Sequence, residues 1–322
     1  MRFSIPRLAV ALLFTTLVLA CAQNGDTNAA PPTLPDTPDG TVTFVAQQLV
    51  DHHPEVIWTA LPESYQQDIT EVTAIFAEKM DPAIYDKTME LSLRAVEVLK
   101  EKKDLIFEST SFQATQVDPA EIDKALDPTF AIAETLLSSQ ISTLYGLGTI
   151  DWEQFLGTTG AAVFEHASAL QLEEGEDPLG ELATLEAEIV AETEDTATLM
   201  LKTANEDPEE VEMVRVEGRW IPADLAQQWP EMMANARQHL DEMTPETMSA
   251  MKTQAMMGLG MAEGLIEQIA TIESAEQFDA AVGPLLQGLM GSFDFGDSDD
   301  SGDSGDSDDS GDDEEYEEPE EE

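Results

Sequence analysis

The chain has 322 residues, and its 67 aspartates and glutamates against 14 lysines and arginines give a formal net charge of -53. This charge excludes direct nucleic-acid binding, because such binding depends on clustered Lys and Arg that neutralise phosphates. The single cysteine excludes an intramolecular disulfide, a zinc site built from several cysteines and an iron–sulfur cluster. The hydrophobic fraction of 42% is sufficient for a folded core.

Residues 1–20 have the pattern of a secretory signal peptide. Arg2 and Arg7 come before an apolar run over residues 8–20, and positive charge followed by a short apolar run is what signal peptides share. The run is shorter than the roughly 20 residues that a membrane-spanning helix needs. We therefore predict that this segment directs export and does not span a membrane.

The apolar run ends at the cysteine. The segment 18–21, Val-Leu-Ala-Cys, resembles the lipobox of bacterial lipoproteins, although Leu19 is a less usual residue at its position. The resemblance implies that Cys21 carries acyl chains, such as palmitate, that hold the protein at a membrane of the cell envelope. Because Ala22 and Gln23 follow, it also implies the outer membrane, with the body facing the periplasm or the exterior. An ordinary signal peptide with an incidental thiol is the alternative.

Composition divides the rest of the chain into three parts. Residues 21–40 hold four prolines among short polar side chains, so we expect a flexible linker. Residues 41–293 show regular apolar spacing and are predicted to form the folded domain. Residues 294–322 contain 17 acidic side chains and no basic one, which predicts a disordered acidic tail because little apolar surface is available to bury. The folded domain still has 47 acidic and 12 basic residues, a balance of -35.

Most of the predicted domain has the three- and four-residue apolar spacing of amphipathic helices. Asp81-Pro82 and Asp127-Pro128 predict helix starts, because Asp is a good N-cap and Pro suits the first helical position. A third helix is expected after Asp151. Further helices are expected over about 225–243, 251–269 and 274–290.

Residues 185–222 alternate apolar and polar side chains, which is typical of strands. Turn residues such as Glu194-Asp195 separate the runs and predict an antiparallel three-stranded meander. Glu217-Gly218 predicts a turn or bulge that places Trp220 on a separate short strand. The predicted fold class is therefore α+β, a mainly helical body with a small meander inserted late.

Eight of the 14 methionines fall between Met232 and Met261. Thioether clusters can bind Cu(I), and Met-rich faces can form adaptable apolar surfaces. The spacing of these methionines coincides with helical core stripes, so packing in the core is the expected role. Gly260 and Gly264 permit the close approach of another helix, whereas Glu263 argues against a membrane span.

We expect no defined metal site, and weak divalent-cation binding by the tail is the alternative. Asp306, Asp308, Ser310 and Glu317 have the spacing of calcium ligands in an EF-hand loop, but a Ser-Asp-Gly repeat produces such spacing easily. The adjacent pair His52-His53 belongs to a helix start, where neighbouring side chains point in different directions. This pair is therefore expected to be a surface feature.

The sequence contains no motif of a known nucleophilic or nucleotide-binding site. It has no G-x-S-x-G, H-E-x-x-H, Walker or G-x-G-x-x-G pattern, and no cofactor is expected. A carboxylate-dependent hydrolase stays an alternative, since the many acidic residues of the domain offer numerous pairs.

We predict a membrane-anchored envelope lipoprotein that is not an enzyme and has an interaction or structural role, with an envelope protein as the expected partner. The second hypothesis is a periplasmic small-molecule-binding protein with an apolar pocket. Its basis is the segment 216–220, Val-Glu-Gly-Arg-Trp, which resembles the final strands of cone-shaped nuclear-transport-factor-like domains. The long helices after Trp229 depart from that family's order. This hypothesis makes Trp220 and Trp229 the ligand-binding candidates.

Overall fold

The computed structural model of the protein describes residues 33–113, 118–170, 178–204 and 207–281. Its helices are α1 Pro38–Val50, α2 Glu55–Ala60, α3 Glu63–Lys79, α4 Pro82–Glu108, α5 Thr110–Gln113, α6 Pro119–Leu137, α7 Leu144–Gly148, α8 Trp152–Phe155, α9 Ala161–Ser168, α10 Pro178–Ala183, α11 Ala223–Glu242 and α12 Pro245–Ala270. A 3-10 turn at Gln140–Ser142 precedes α7, a π-helical turn at Leu156–Gly160 joins α8 to α9, and residues 275–281 are also helical. The strands are β1 Glu186–Glu192, β2 Thr196–Lys202, β3 Glu209–Val216 and β4 Arg219–Pro222.

The protein is mainly helical with one small antiparallel sheet, as the sequence predicted. The sheet has four strands in the order β1-β2-β3-β4, so the expected number of three was wrong. The difference arises because β4 pairs with β3 in a hairpin, with Arg215 opposite Trp220. Glu217 and Gly218 form its turn with φ of 51° and 80°, and positive φ at both central residues suits a two-residue hairpin loop. The separate strand predicted for Trp220 is therefore confirmed.

The alternating pattern of the strands separates two hydrophobic clusters. Ala197, Leu199 and Leu201 of β2 pack together with Met213 and Trp220 against Val42 of α1. A second cluster forms around Ile221 of β4 and contains residues of α2, α3 and α11. Its buried members are Trp58, Leu61, Tyr65, Leu156, Ile221 and Trp229. Because side chains alternate between the faces of a strand, β3 and β4 contribute to both clusters.

Helix α1 begins inside the segment 21–40 that the sequence predicted as a linker. The Thr37 hydroxyl accepts a hydrogen bond from the Gly40 amide at 3.3 Å, and Pro38 takes the first helical position, where its fixed φ is favourable. The Thr41 hydroxyl donates to the Pro35 carbonyl at 3.0 Å. The folded body therefore starts before Thr41, because the prolines that suggested an extended linker also suit a helix start.

The two Asp-Pro pairs have different roles. Asp81 caps α4 by accepting hydrogen bonds from the amides of Ala83 and Ile84, which confirms that prediction. The start predicted at Asp127-Pro128 was wrong, since Pro128 lies inside α6. This helix begins one Asp-Pro pair earlier, where Asp118 accepts from the Ala120 amide at 2.9 Å. The local signal is the same at both pairs, and only the surrounding helix distinguishes them.

Helix α12 lies along α4 at one side of the body. Residues 272 and 278 after α12 are buried, and the carboxylate of Asp279 accepts hydrogen bonds from the amide and hydroxyl of Thr110 at 2.8 and 2.6 Å. The chain after α12 is therefore attached to the start of α5, directly after α4. Across the described ranges, the structure contains no helix with the length and hydropathy needed to cross a membrane.

Candidate functional site

Four of the five methionines of α12 are exposed, and Met248 is half-buried. Met251, Met257 and Met261 are 55%, 65% and 73% exposed, and none of the residues of this helix is buried. The expectation of core packing was therefore wrong for these exposed methionines, whereas Met233 of α11 does pack against the cluster around Ile221. Apolar residues occur on several sides of α12, but only the side that faces α4 contacts the rest of the body.

Beyond its first turn, which contains Glu246, helix α12 has its charged side chains on the side that faces α4. Lys252 pairs with Asp81 at 2.6 Å, Glu263 with Lys87 at 2.7 Å, and Glu267 with Arg94 at 3.1 Å. These are the charged residues of the helix after position 250. Opposite them lies a surface without charge, which we call the outer face. It consists of Ala250, Met251, Thr253, Gln254, Met257, Gly258, Gly260, Met261, Gly264, Leu265 and Gln268.

The ion pairs beside α4 stay charged at neutral pH. The hydrogen bond from Lys252 holds the pKa of the Asp81 carboxyl below its usual value, and the amides of the α4 N-terminus add to this effect. Hydrogen bonds to Glu263 and Glu90 raise the pKa of Lys87. Both shifts favour the charged forms, so the pairs that orient α12 on α4 persist and keep the outer face directed away from the body.

Glycines form hollows on both sides of the exposed methionines. A Cβ added at Gly258, Gly260 or Gly264 would meet nothing within 4 Å, so packing within the chain does not require glycine at these positions. Each glycine in a helix interior is about 1 kcal/mol less favourable than alanine. Met257 and Met261, one turn apart, form a ridge beside the hollow of Gly260 and Gly264.

An open groove adjoins the N-terminal end of α12. It has a volume of about 660 Å³, and its walls include Met80, Met243 and Met248 from three different segments. The Lys79 ammonium donates to the Leu240 carbonyl at 2.6 Å and pairs with Asp241 at 3.3 Å. The groove therefore combines apolar thioether walls with lysines that already have partners, and it lies on the Lys252 side of α12, separate from the outer face.

The two tryptophans proposed as ligand contacts are core residues. Trp220 is 3% exposed, and its indole N–H donates to the Asp36 carbonyl at 3.0 Å. Trp229 is 8% exposed and stacks on Tyr65 with 4.0 Å between the ring centres. A recess of about 60 Å³ reaches Trp220, which is far below the roughly 300 Å³ of a small ligand pocket. Their packing does not favour a ligand site at these two rings.

The other predicted site residues fall outside the described ranges. These are the lipidation candidate Cys21 and the calcium candidates Asp306, Asp308, Ser310 and Glu317. Among the residues that the structure does describe, no group of three His, Cys, Asp or Glu side chains could hold a metal ion. His52 lies 3.3 Å from the Ser168 hydroxyl of α9, measured from its Nε2 atom.

The sequence reasoning missed the outer face as a unit, although one signal for it was present. Gly260 and Gly264 were recognised as positions of close helix approach, but the placement of Glu263 and Glu267 toward α4 required the structure. A helical projection of residues 250–268 would have shown an arc without charge. Comparison with known proteins yields no match, whether among protein-family models, curated proteins or solved structures.

Proposed function

We propose that the protein is a lipid-anchored protein of the cell envelope that is not an enzyme and that binds a protein partner through the outer face of α12. The observation that supports this proposal most directly is the exposure of Met251, Met257 and Met261 on a helix face without charge. Contiguous apolar surface on a soluble body marks an interaction site more often than scattered apolar residues do. Methionine is well suited to such a surface because its side chain adapts to the partner.

The anchor in this proposal rests on the lipobox-like segment that ends at Cys21. Each methylene group of an acyl chain contributes about 0.8 kcal/mol when it enters the bilayer, so two or more chains on one cysteine give stable attachment. Residues 22–37 would then connect the lipid to α1. Such an anchor confines the outer face of α12 to partners at the same envelope surface.

Site-specific photo-crosslinking tests the interaction role. A photoreactive phenylalanine derivative is placed at Met257 or Met261 of the full-length protein in cells. We expect a discrete crosslinked product from both positions. The matched control is the same residue at Tyr145, which is 82% exposed and lies on α7, away from the outer face. Crosslinking at neither methionine, or equal crosslinking at Tyr145, would remove the support for this role.

Metabolic labelling with palmitate tests the anchor separately. We expect the label to enter the wild-type protein and to be absent from a Cys21→Ala variant. The variant should also be released from the membrane fraction, because its acyl chains are missing. Equal labelling of the two proteins would show that the cysteine is not the attachment point.

A further inference from the structure

We propose that the partner of the outer face is the same face of a second copy of this chain, so that the protein forms a two-fold dimer through α12. This proposal rests on the interaction role proposed for that face and specifies its partner. Two-fold dimers with self-complementary contacts are the commonest assemblies of soluble proteins. The proposal is supported by two features of α12, its distribution of charge and its surface relief.

Charge favours pairing of two copies at this face. Each body has a balance of -35 between residues 41 and 293, so most approaches of two copies bring acidic surfaces together. At the outer face no carboxylate lies between Ala250 and Gln268, since Glu263 and Glu267 are paired with Lys87 and Arg94 on the side of α4. Two copies can therefore meet here without placing like charges directly opposite each other.

A basic partner would bind a surface other than the outer face. A polycation gains most from unpaired carboxylates, and the outer face offers none. The contact at this face must come from apolar side chains and close backbone packing. This chemistry is the same on both sides of a two-fold axis, which makes a second copy the partner that fits.

The relief of the outer face would allow two copies to fit together. Met257 and Met261 form a ridge, and Gly260 and Gly264 form the hollow beside it, with open space above each glycine. Helices pack by placing the ridge of one in the groove of the other. A two-fold axis between two α12 helices lets each Met ridge occupy the hollow of the other copy. In such a dimer, the contact between the two copies would require glycine at positions where packing within one chain does not.

The size of the face predicts a weak dimer. From Ala250 to Gln268 the face extends about 27 Å along a helix that rises 1.5 Å per residue. A single pair of helices of this length belongs to the small class of interfaces, which form transient complexes. Attachment of both copies to one membrane would raise their effective concentration and favour the dimer.

Sedimentation equilibrium of the full-length protein in a mild detergent tests the dimer. We expect a monomer–dimer equilibrium with a dissociation constant in the micromolar range. Raising NaCl from about 0.05 M to about 0.5 M should strengthen the dimer, because salt screens the repulsion between two acidic bodies. A monomer at every accessible concentration, or a dimer that salt weakens, would overturn the proposal.

Two variants test the position of the contact. Met261→Glu should weaken the dimer by at least about tenfold, since each copy would bury a carboxylate in the interface. The triple change Gly258→Ala, Gly260→Ala and Gly264→Ala should also weaken it, because methyl groups fill the hollow. The triple variant should melt at a higher temperature than wild type, since alanine favours the helix. Loss of the dimer therefore cannot result from unfolding. Gln238→Glu on the exposed side of α11 is the control and should leave the dimer unchanged.

The results of these experiments distinguish the proposed dimer from the more general interaction role of the outer face. A triple variant that melts higher but dimerises normally excludes the glycine hollow and overturns the proposed contact. Crosslinking from Met261 to a different protein, without a product of twice the mass, overturns the second copy as partner and leaves the interaction role intact. If the protein is a monomer and Met261→Glu lowers its melting temperature, the chain itself covers the outer face. This result overturns both the dimer and the interaction role.

Discussion

At the scale of single residues, Asp68 joins α3 to α11. Its carboxylate accepts a hydrogen bond from the Trp229 indole at 2.9 Å and another from Arg237, which also pairs with Glu71 at 2.8 Å. Burial raises the pKa of Asp68, but the hydrogen bonds from Trp229 and Arg237 outweigh it, so the pKa lies below its ordinary value. The charged carboxylate therefore holds Trp229 in its stack with Tyr65.

We expect Asp68→Asn to destabilise the protein by about 1–3 kcal/mol at pH 7, because hydrogen bonds to a charged acceptor are replaced by weaker ones. A group with a lowered pKa in the folded state stabilises the fold above its unfolded pKa, and this contribution is lost as the pH falls through the folded value. Wild type and variant should therefore converge in stability at acidic pH. Urea unfolding at several pH values measures the difference.

Glu71→Gln is the matched control, since Glu71 contacts Arg237 but not the tryptophan. Its carboxylate is largely exposed, and exposed ion pairs contribute less than about 1 kcal/mol. A gap between wild type and Asp68→Asn that stays constant down to acidic pH would contradict the assigned role of the Asp68 charge.

The contact between Trp229 and Asp68 could not be predicted from the sequence. The resemblance of segment 216–220 to nuclear-transport-factor-like domains made Trp229 a candidate ligand contact. Its partner Asp68 is 161 positions away in the chain, and no local pattern relates the two. The structure assigns the ring to the core because α3 and α11 pack side by side.

At the scale of elements, the sheet follows its sequence pattern closely. Leu199 of β2 is completely buried, whereas Val190 of β1 is largely exposed. Both residues are apolar, but Val190 lies at the register irregularity of the edge strand β1, whereas Leu199 lies on the central strand β2. Ala187 and Ile189 of β1 pack against the same cluster as Leu199. The alternating pattern identified the strands correctly, and the face toward which each side chain points decided which residues became core.

We expect Leu199→Ala to reduce the free energy of unfolding by about 2–5 kcal/mol, because it removes buried methyl groups and leaves a cavity. Val190→Ala on β1 is the control and should change stability by less than about 1 kcal/mol, since surface substitutions have small effects. Thermal or urea unfolding gives both values. Equal losses from the two variants would show that β2 does not face the core as described.

An ion pair attaches the first turns of α12 to the start of α4. Asp81 caps α4 and also pairs with Lys252. Asp81→Asn keeps a good N-cap but removes the charge that holds Lys252. We expect faster amide exchange in the first turns of α12, with little change in α4. The same loosening should occur in wild type as the pH falls through the lowered pKa of Asp81.

Hydrogen exchange read by mass spectrometry over the two helices measures this effect. Asp81→Ala serves as a comparison, because it removes the cap as well and should expose the start of α4 in addition. If Asp81→Asn leaves the exchange of α12 unchanged, the ion pair does not contribute to the attachment of this helix.

At the scale of the whole molecule, negative charge dominates. The net charge of -53 is shared between the segment 294–322 and a body that keeps a balance of -35. Several cations of the body each pair with two carboxylates, as Lys103 does with Asp123 and Asp127. The number of basic side chains in the body is nevertheless small, so repulsion among the remaining carboxylates opposes the compact state.

We therefore expect the melting temperature to rise when NaCl is added at moderate concentration, because salt screens this repulsion. A gain of 1 kcal/mol corresponds to about 2–4 °C for a body of this size. A chain that lacks residues 294–322 should retain most of the response, since the body itself remains acidic. A melting temperature that is unchanged or lowered by NaCl would contradict this prediction.

The sequence by itself determined the elements and their chemistry. Helical spacing, strand alternation and the Glu217-Gly218 turn are local properties, and the structure contains most of the corresponding helices, the strands and the hairpin. The starts of α1 and α6 were not predicted. The sequence also determined the acidic character of the body, because charge is a sum over residues. What only the tertiary structure decided was which face of each element meets a neighbour. Burial depends on contacts between residues far apart in the chain. Trp229 therefore became core, and Met257 and Met261 became surface.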